Sequence, residues 1–230
     1  MKKFELTTDT KMFLGRKLFR IKALISFGNV KAGDVGGYIE KEENLSQSGN
    51  AWVSVNAEVS GNVEVYGNAR VSGDARVYGN AEVYGNAEVS GNAWVSGNVE
   101  VYGNARVSGD AEVSGNVEVY GNARVSGNAE VYGNAEVSGN VEVYGNARVS
   151  GDARVSGDAD YATASGFGSE YRTTTFFKLK NSDKIGVRCG CFYGTLKEFK
   201  EKVKETHGES KKAKEYLMLA DLMEYKFSEE

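Results

Sequence analysis

From Gly49 to Ala162 the apolar and polar positions repeat with a period of six. The units read Gly-Asn-Ala-Trp-Val-Ser, Val-Asn-Ala-Glu-Val-Ser, Gly-Asn-Val-Glu-Val-Tyr, and continue without a gap for 114 residues, or nineteen units. All nineteen carry Asn or Asp second and Ala or Val third. Eighteen begin with Gly, Val55 being the exception, and eighteen carry Val fifth, Tyr161 being the exception. The third and fifth residues are apolar and their neighbours are not, which is the pattern of a short strand with one face turned inward. Gly-Asn or Gly-Asp then makes a corner, since Gly takes positive φ at no steric cost and Asn or Asp tolerates it better than other residues. So short a period predicts a solenoid, in which each strand stacks on its counterpart one coil away.

The flanks follow other patterns. Residues 17–27 place Phe19, Ile21, Ala23, Ile25 and Phe27 on one face of a strand, pairing with a first strand around Phe4 to Thr7. Open sheet edges attract other strands, so such a segment serves as an end cap. Beyond Ala162, the runs Thr173–Leu179 and Ile185–Cys191 predict a hairpin turning at Asn181, Ser182 and Asp183. Thr195 and Glu198 form a capping box for a helix to about Thr206. Ser210 opens a second helix carrying Ala213, Tyr216, Leu217, Ala220, Leu222 and Met223 inward. The expected organisation is an N-terminal β cap and lead-in over 1–48, the repeat over 49–162, and a small α+β unit over 163–230.

The recurrence of an aliphatic and a small residue, as in Val71, Ala75, Val77 and Ala81, resembles the hexapeptide-repeat family. That resemblance implies a mainly β protein, a left-handed parallel β-helix of triangular section with three units per coil. The handedness is implied by the resemblance alone, because a period of six does not fix it. At about 4.8 Å per stacked strand, roughly six coils make a rod about 30 Å long. The flanks carry a second resemblance, to phage and prophage proteins in which such a rod lies between similar end segments. The matching residues are Gly33-Asp34-Val35-Gly36-Gly37-Tyr38-Ile39-Glu40, Glu43-Asn44-Leu45-Ser46 and Gly49-Asn50-Ala51-Trp52-Val53 before the repeat. Val187-Arg188-Cys189-Gly190-Cys191-Phe192 and Thr206-His207-Gly208 match after it. A mobile-element accessory protein is implied, acting inside a bacterial host.

Composition narrows the classes further. The chain has 230 residues, 40% of them hydrophobic, with 29 Gly and no Pro, which excludes collagen-like and Pro-rich sequences. Two Cys exclude a disulfide scaffold, and no long apolar run reads as a signal peptide or a membrane span, so a cytoplasmic location is expected. A net charge of −4 argues against a basic nucleic-acid binder. The charge is unevenly spread. Residues 1–48 hold nine basic and six acidic side chains (+3), 49–162 hold six and fifteen (−9), and 163–230 hold thirteen and eleven (+2).

Three units per coil sort the outward residues into columns. One face reads Glu64, Glu82, Glu100, Glu118, Glu136 and Arg154, beside Tyr66, Tyr84, Tyr102, Tyr120, Ser138 and Ser156. Like charges stacked about 5 Å apart repel, so the Glu column is a cost to the fold. One account is function: carboxylates seek basic groups while Tyr rings give packing area to a partner. The other is ancestry, a copied eighteen-residue block with the rings stacking on each other. The blocks Val-Glu-Val-Tyr start after Gly61-Asn62, Gly97-Asn98, Gly115-Asn116 and Gly139-Asn140, so the last falls on another face and copying did not keep phase. Trp94 points outward in mid-rod, beyond the expected reach of an end cap, either as a binding anchor or stacked on Arg76.

The chemistry of catalysis is missing from the repeat. Hexapeptide-repeat acyltransferases use a His general base, and this rod has no His and no inserted loop to shape a cofactor pocket, so neither an enzyme nor a cofactor is expected. His207 lies between the two helices, in a turn. With Cys189 and Cys191, two apart on a strand, it offers at most three metal ligands where structural zinc wants four, so buried reduced thiols and no metal are expected. The expected function is therefore a non-catalytic binding protein occupying a basic surface of a host protein, as an inhibitor of a defence system or nuclease, of anti-CRISPR or nucleic-acid-mimic type. Glu64, Glu82, Glu100, Glu118, Glu136, Tyr66, Tyr84, Tyr102, Tyr120 and Trp94 are its contact residues, with no membrane or nucleic acid bound directly. The alternatives are a structural rod associating into dimers, trimers or longer assemblies, and an atypical or inactive acyltransferase relative.

Overall fold

A computed structural model describes residues 1–168, 170 and 172–228. From Trp52 to Val155 each hexad lays down one short strand, and strands eighteen residues apart pair in parallel. Glu64 stands beside Glu82, Glu82 beside Glu100, and Arg106 beside Arg124. Three sheets enclose a core of the third- and fifth-position Ala and Val side chains, which have essentially no exposure. This is a parallel β-solenoid. Its three outward columns are Trp52/Arg70/Glu88/Arg106/Arg124/Glu142, Glu64/Glu82/Glu100/Glu118/Glu136/Arg154 and Glu58/Arg76/Trp94/Glu112/Glu130/Arg148.

The corners divide their labour differently from expectation. Of the Gly-Asn and Gly-Asp pairs it is the Gly that takes the left-handed conformation, as at Gly115 (φ +98°), where a Cβ would sit 2.6 Å from the Gly133 carbonyl oxygen one coil away. The Asn that follows Gly in the repeat is not in that region. Its amide instead donates to the side-chain oxygen of the residue eighteen positions on. One ladder runs from Asn50 through Asn68, Asn86, Asn104 and Asn122 to Asn140, and a second from Asn62 to Asp152, with steps of 2.8–3.1 Å. Asp152 suits the end of its ladder because a carboxylate accepts without needing to donate. Val55, which replaces Gly, is forced to φ 60°.

The rod begins before the hexads do. Strands β1 (Phe4–Phe13) and β2 (Arg16–Ala23) form an antiparallel hairpin, and β3 (Val35–Ile39) pairs antiparallel with β2 and parallel with Glu58–Val59. Leu45 bridges to Val65 in parallel. The lead-in is thus a coil that lacks the repeat's spelling, and the rod has nearly seven turns rather than six. Gly36 and Gly37 permit this, since a Cβ at either would meet backbone oxygen at 2.6 Å. Phe4 and Phe27 pack edge-on against Trp52, closing the first coil. Lys3 is buried there with no carboxylate paired to it among the described residues, its ammonium donating to the Ala51 carbonyl at 2.9 Å and lying 4.9 Å over the Phe27 ring.

At the other end the nineteenth hexad leaves the solenoid, as its odd Tyr161 foreshadows. Strands β4 (Tyr161–Ala164), β5 (Thr174–Lys178), β6 (Ile185–Cys189) and β7 (Phe192–Thr195) form an antiparallel sheet in that order. Alternation along β5 joins two cores. Phe177 enters the rod's core, while Phe176 faces α1 (Leu196–His207) and α2 (Lys211–Phe227). The expected capping box is present, with Glu198 accepting from the Thr195 amide at 2.7 Å. Leu222 departs from expectation: it is exposed with Met218 and Tyr225, because the helix packs inward through Ala213, Tyr216, Ala220 and Met223. Cys189 ends β6 and Cys191 follows a Gly190 turn at φ 57°, so the thiols do not share a strand face. One is half-buried and the other exposed, rather than both buried.

Candidate functional site

The parallel register brings the Glu column into line, with Glu64, Glu82, Glu100, Glu118 and Glu136 on successive strands of one sheet. Beside it Tyr66, Tyr84, Tyr102 and Tyr120 stack with centroids 4.9 Å apart and planes within 4°. That spacing is the strand separation itself, so ring stacking costs no distortion of the sheet. Each hydroxyl then reaches one coil onward. Tyr66 donates to Glu82 at 3.0 Å, Tyr84 to Glu100 at 3.0 Å, Tyr102 to Glu118 at 3.4 Å, and Tyr120 to Glu136. The two columns are therefore one hydrogen-bonded ladder, and the phenols relieve part of the repulsion expected between stacked carboxylates.

This coupling shows in the phenols' acidity. Partial burial, then the bonded Glu82, pushes Tyr66 up to about 12, and burial with the Glu118 charge does the same for Tyr102. Tyr84 is raised further by burial and Glu100, and Tyr120 is raised chiefly by its bond to Glu136. All four stay neutral donors at ordinary pH.

Charge distinguishes this face from the other two. There Arg and Glu neutralise each other along the columns, Arg106 with Glu88 at 3.5 Å, Arg124 with Glu142 at 2.9 Å and Arg148 with Glu130 at 2.7 Å. On the Glu–Tyr face, Glu136 has Lys180 at 3.6 Å and Arg154 at 3.9 Å. Among the described residues, Glu64, Glu82, Glu100 and Glu118 make no ion pair. A strip of negative charge about four coils long is left facing solvent, edged by half-buried Tyr rings.

Trp94 lies on a different face, so the structure does not join it to the Glu–Tyr columns. It is half-buried, with the Arg76 guanidinium 5.2 Å over its ring and Tyr78 edge-on at 6.0 Å. Nor is it beyond the cap's reach: the β1–β2 hairpin folds back over this face, putting Phe13 5.9 Å from Tyr78 and Lys11 2.6 Å from Glu58. The hairpin is longer than the apolar pattern indicated because β1 runs to Phe13 through a bulge that breaks alternation.

Several contributors escaped the sequence reading. Constancy of the second position in all nineteen hexads is the signal that marks the amide ladders, whereas nothing in the spelling marks Lys3 or Leu14, which sits at the hairpin tip with φ 47°. In the C-terminal part a cleft of about 560 Å³ is lined by Cys189, Phe199, Lys202, His207 and Tyr216 among others. His207 ends α1 and stacks on Tyr216 at 5.9 Å. Among the described residues no three His, Cys, Asp or Glu side chains gather to hold a metal, and no helix is long and apolar enough to cross a membrane. No curated protein matches the chain. A family model described as Bactofilin, polymer-forming cytoskeletal, matches residues 71–159, a stretch lying within and just past the solenoid and taking in most of the Glu–Tyr face.

Proposed function

We propose that the protein is a non-enzymatic structural rod that associates with further copies of itself, with the Glu–Tyr face as a contact surface. The observation that carries this reading is the match of the solenoid, and not of the flanks, to a polymer-forming cytoskeletal family. The geometry suits it: an uninterrupted stack with a buried Ala/Val core is stiff, and its Glu and Tyr columns repeat at a fixed pitch, so a contact made at one coil can be made again at the next. Use of the same face as a decoy for a basic groove of a host protein rests on its charge alone. The test is sedimentation velocity of the full chain over a hundredfold range of concentration, with electron microscopy of the heaviest species. Growing assemblies are expected, and a monomer at every concentration would overturn the reading.

A further inference from the structure

The tip of the β1–β2 hairpin exposes two apolar side chains, Met12 and Leu14, that the chain's own fold does not explain. Leu14 and Gly15 form its turn, both with positive φ (47° and 77°). Two-residue hairpin turns of this conformation favour Asn-Gly, and a Leu there is strained. Leu14 is 64% exposed and recovers little by burial, and Met12 beside it is 66% exposed. Lys17, cross-strand partner of Met12, lies 5.3 Å over the Phe19 ring and makes no ion pair among the described residues. Strain kept at an exposed apolar residue points to use outside the fold. The tip is thus a small knob, apolar at its crest and cationic at its side.

The Glu–Tyr face has the opposite character at matching scale, ring edges beside carboxylates without ion pairs. We infer that the hairpin tip of one copy docks on the Glu–Tyr face of a second copy, with Met12 and Leu14 against the Tyr column and Lys17 against Glu82 or Glu100. This rests on the self-association proposed above and names its partner surfaces. Because tip and face are different patches, the contact is heterologous. Each copy keeps one free tip and one free face, so copies can keep adding, as an open chain or, where the rotation closes, a ring.

The test is sedimentation velocity on two full-length variants, one with Leu14→Asp and Lys17→Glu, the other with Glu82→Lys and Glu100→Lys, each checked by circular dichroism for an intact solenoid. Each variant alone is expected to weaken assembly at least tenfold, and Glu82→Gln with Glu100→Gln by less. Mixing the two charge-reversed variants brings the acidic tip to the basic face and the native tip to the native face, so assembly should recover. Wild-type assembly unaffected by either variant would overturn the docking mode while sparing the self-association, and would move the contact elsewhere, for instance to Met218, Leu222 and Tyr225 on α2. Loss in both variants without recovery on mixing would also overturn it. A wild-type monomer would remove both.

Discussion

The rod and its two ends hold themselves together in different ways. In the rod, the corner Asn, the core Ala and Val and, on one face, the Glu and Tyr residues recur eighteen positions away, so that contacts such as an Asn amide, a Tyr ring or a Val side chain are made again in the next coil. At the ends single side chains act alone: Phe177 fills the last coil, and Lys3 with Phe4 closes the first. Repetition makes the rod's stability a sum of similar neighbour terms, so damage stays local, whereas an end depends on residues with no substitute. Phe177→Ala tests this most severely. Deleting a fully buried Phe costs about 3–5 kcal/mol. Because Phe177 joins two cores through β5, the loss should appear in hydrogen exchange as joint opening of β4–β7 and of the strands at Arg148 and Arg154. Opening confined to β5 would mean that the end is no more cooperative than the rod.

A rod substitution of comparable severity should behave differently. Gly115→Ala combines a left-handed backbone with a Cβ 2.6 Å from the Gly133 oxygen, and costs about 2–3 kcal/mol. Exchange should accelerate in the coils around 97, 115 and 133 and leave β1 and α2 protected. Spread to both ends would show that the rod unfolds as one unit.

This contrast explains what was legible in the sequence. Val71, Ala75 and their repeats specify strand, corner, pitch and column because each rule is stated many times over, and so Glu64 through Glu136 and their Tyr neighbours fall on one face as the arithmetic of three hexads per coil demands. The orientation of the phenol hydroxyls was not legible. Whether Tyr84 faces a partner or Glu100 depends on a side-chain torsion that the hexad pattern does not encode. At the ends each feature is written once. Lys3 reads as an ordinary N-terminal charge, since only its burial beneath Phe27 makes it a cap, and the lead-in coil is hidden because Gly36-Gly37 obtains its fit by absence of side chains rather than by the repeat's pattern.

pH separates the two regions by the sign of the effect. Burial lowers Lys3 from 10.5 to about 8, so between those values the unfolded chain holds a proton that the folded end has lost, and stability of the N-terminal end rises with pH. The ladder runs the other way. Tyr66 and Tyr102 titrate near 12 in the fold against 10.0 ordinarily, so their contribution is complete below pH 10 and is lost as pH climbs through 12. Thermal unfolding from pH 8 to 12 should first rise, at no more than about 1.4 kcal/mol per pH unit, and then fall. Lys3→Met should abolish the rise and Tyr66→Phe with Tyr102→Phe should shrink the fall. A curve unmoved by Lys3→Met would place the rise elsewhere.

The smallest effect sits where rod and cap meet. Val55 is the one repeat corner without Gly, a β-branched residue at φ 60° that is 55% exposed. If the rod's rules govern this corner, Val55→Gly relieves about 1–2 kcal/mol of backbone strain and loses about 0.5–1 kcal/mol to the freer unfolded chain, a net gain of up to about 1.5 kcal/mol. But the Val55 carbonyl also accepts from Arg20 at 3.5 Å, and the neighbouring Asn56 carbonyl accepts from Lys11 at 3.4 Å, so the hairpin leans on this corner. Should the cap need a stiff residue there, the substitution destabilises instead, and the loss shows first as faster exchange in β1 and β2. A rise in melting temperature with unchanged hairpin exchange assigns the corner to the rod, and a fall with hairpin loosening assigns it to the cap.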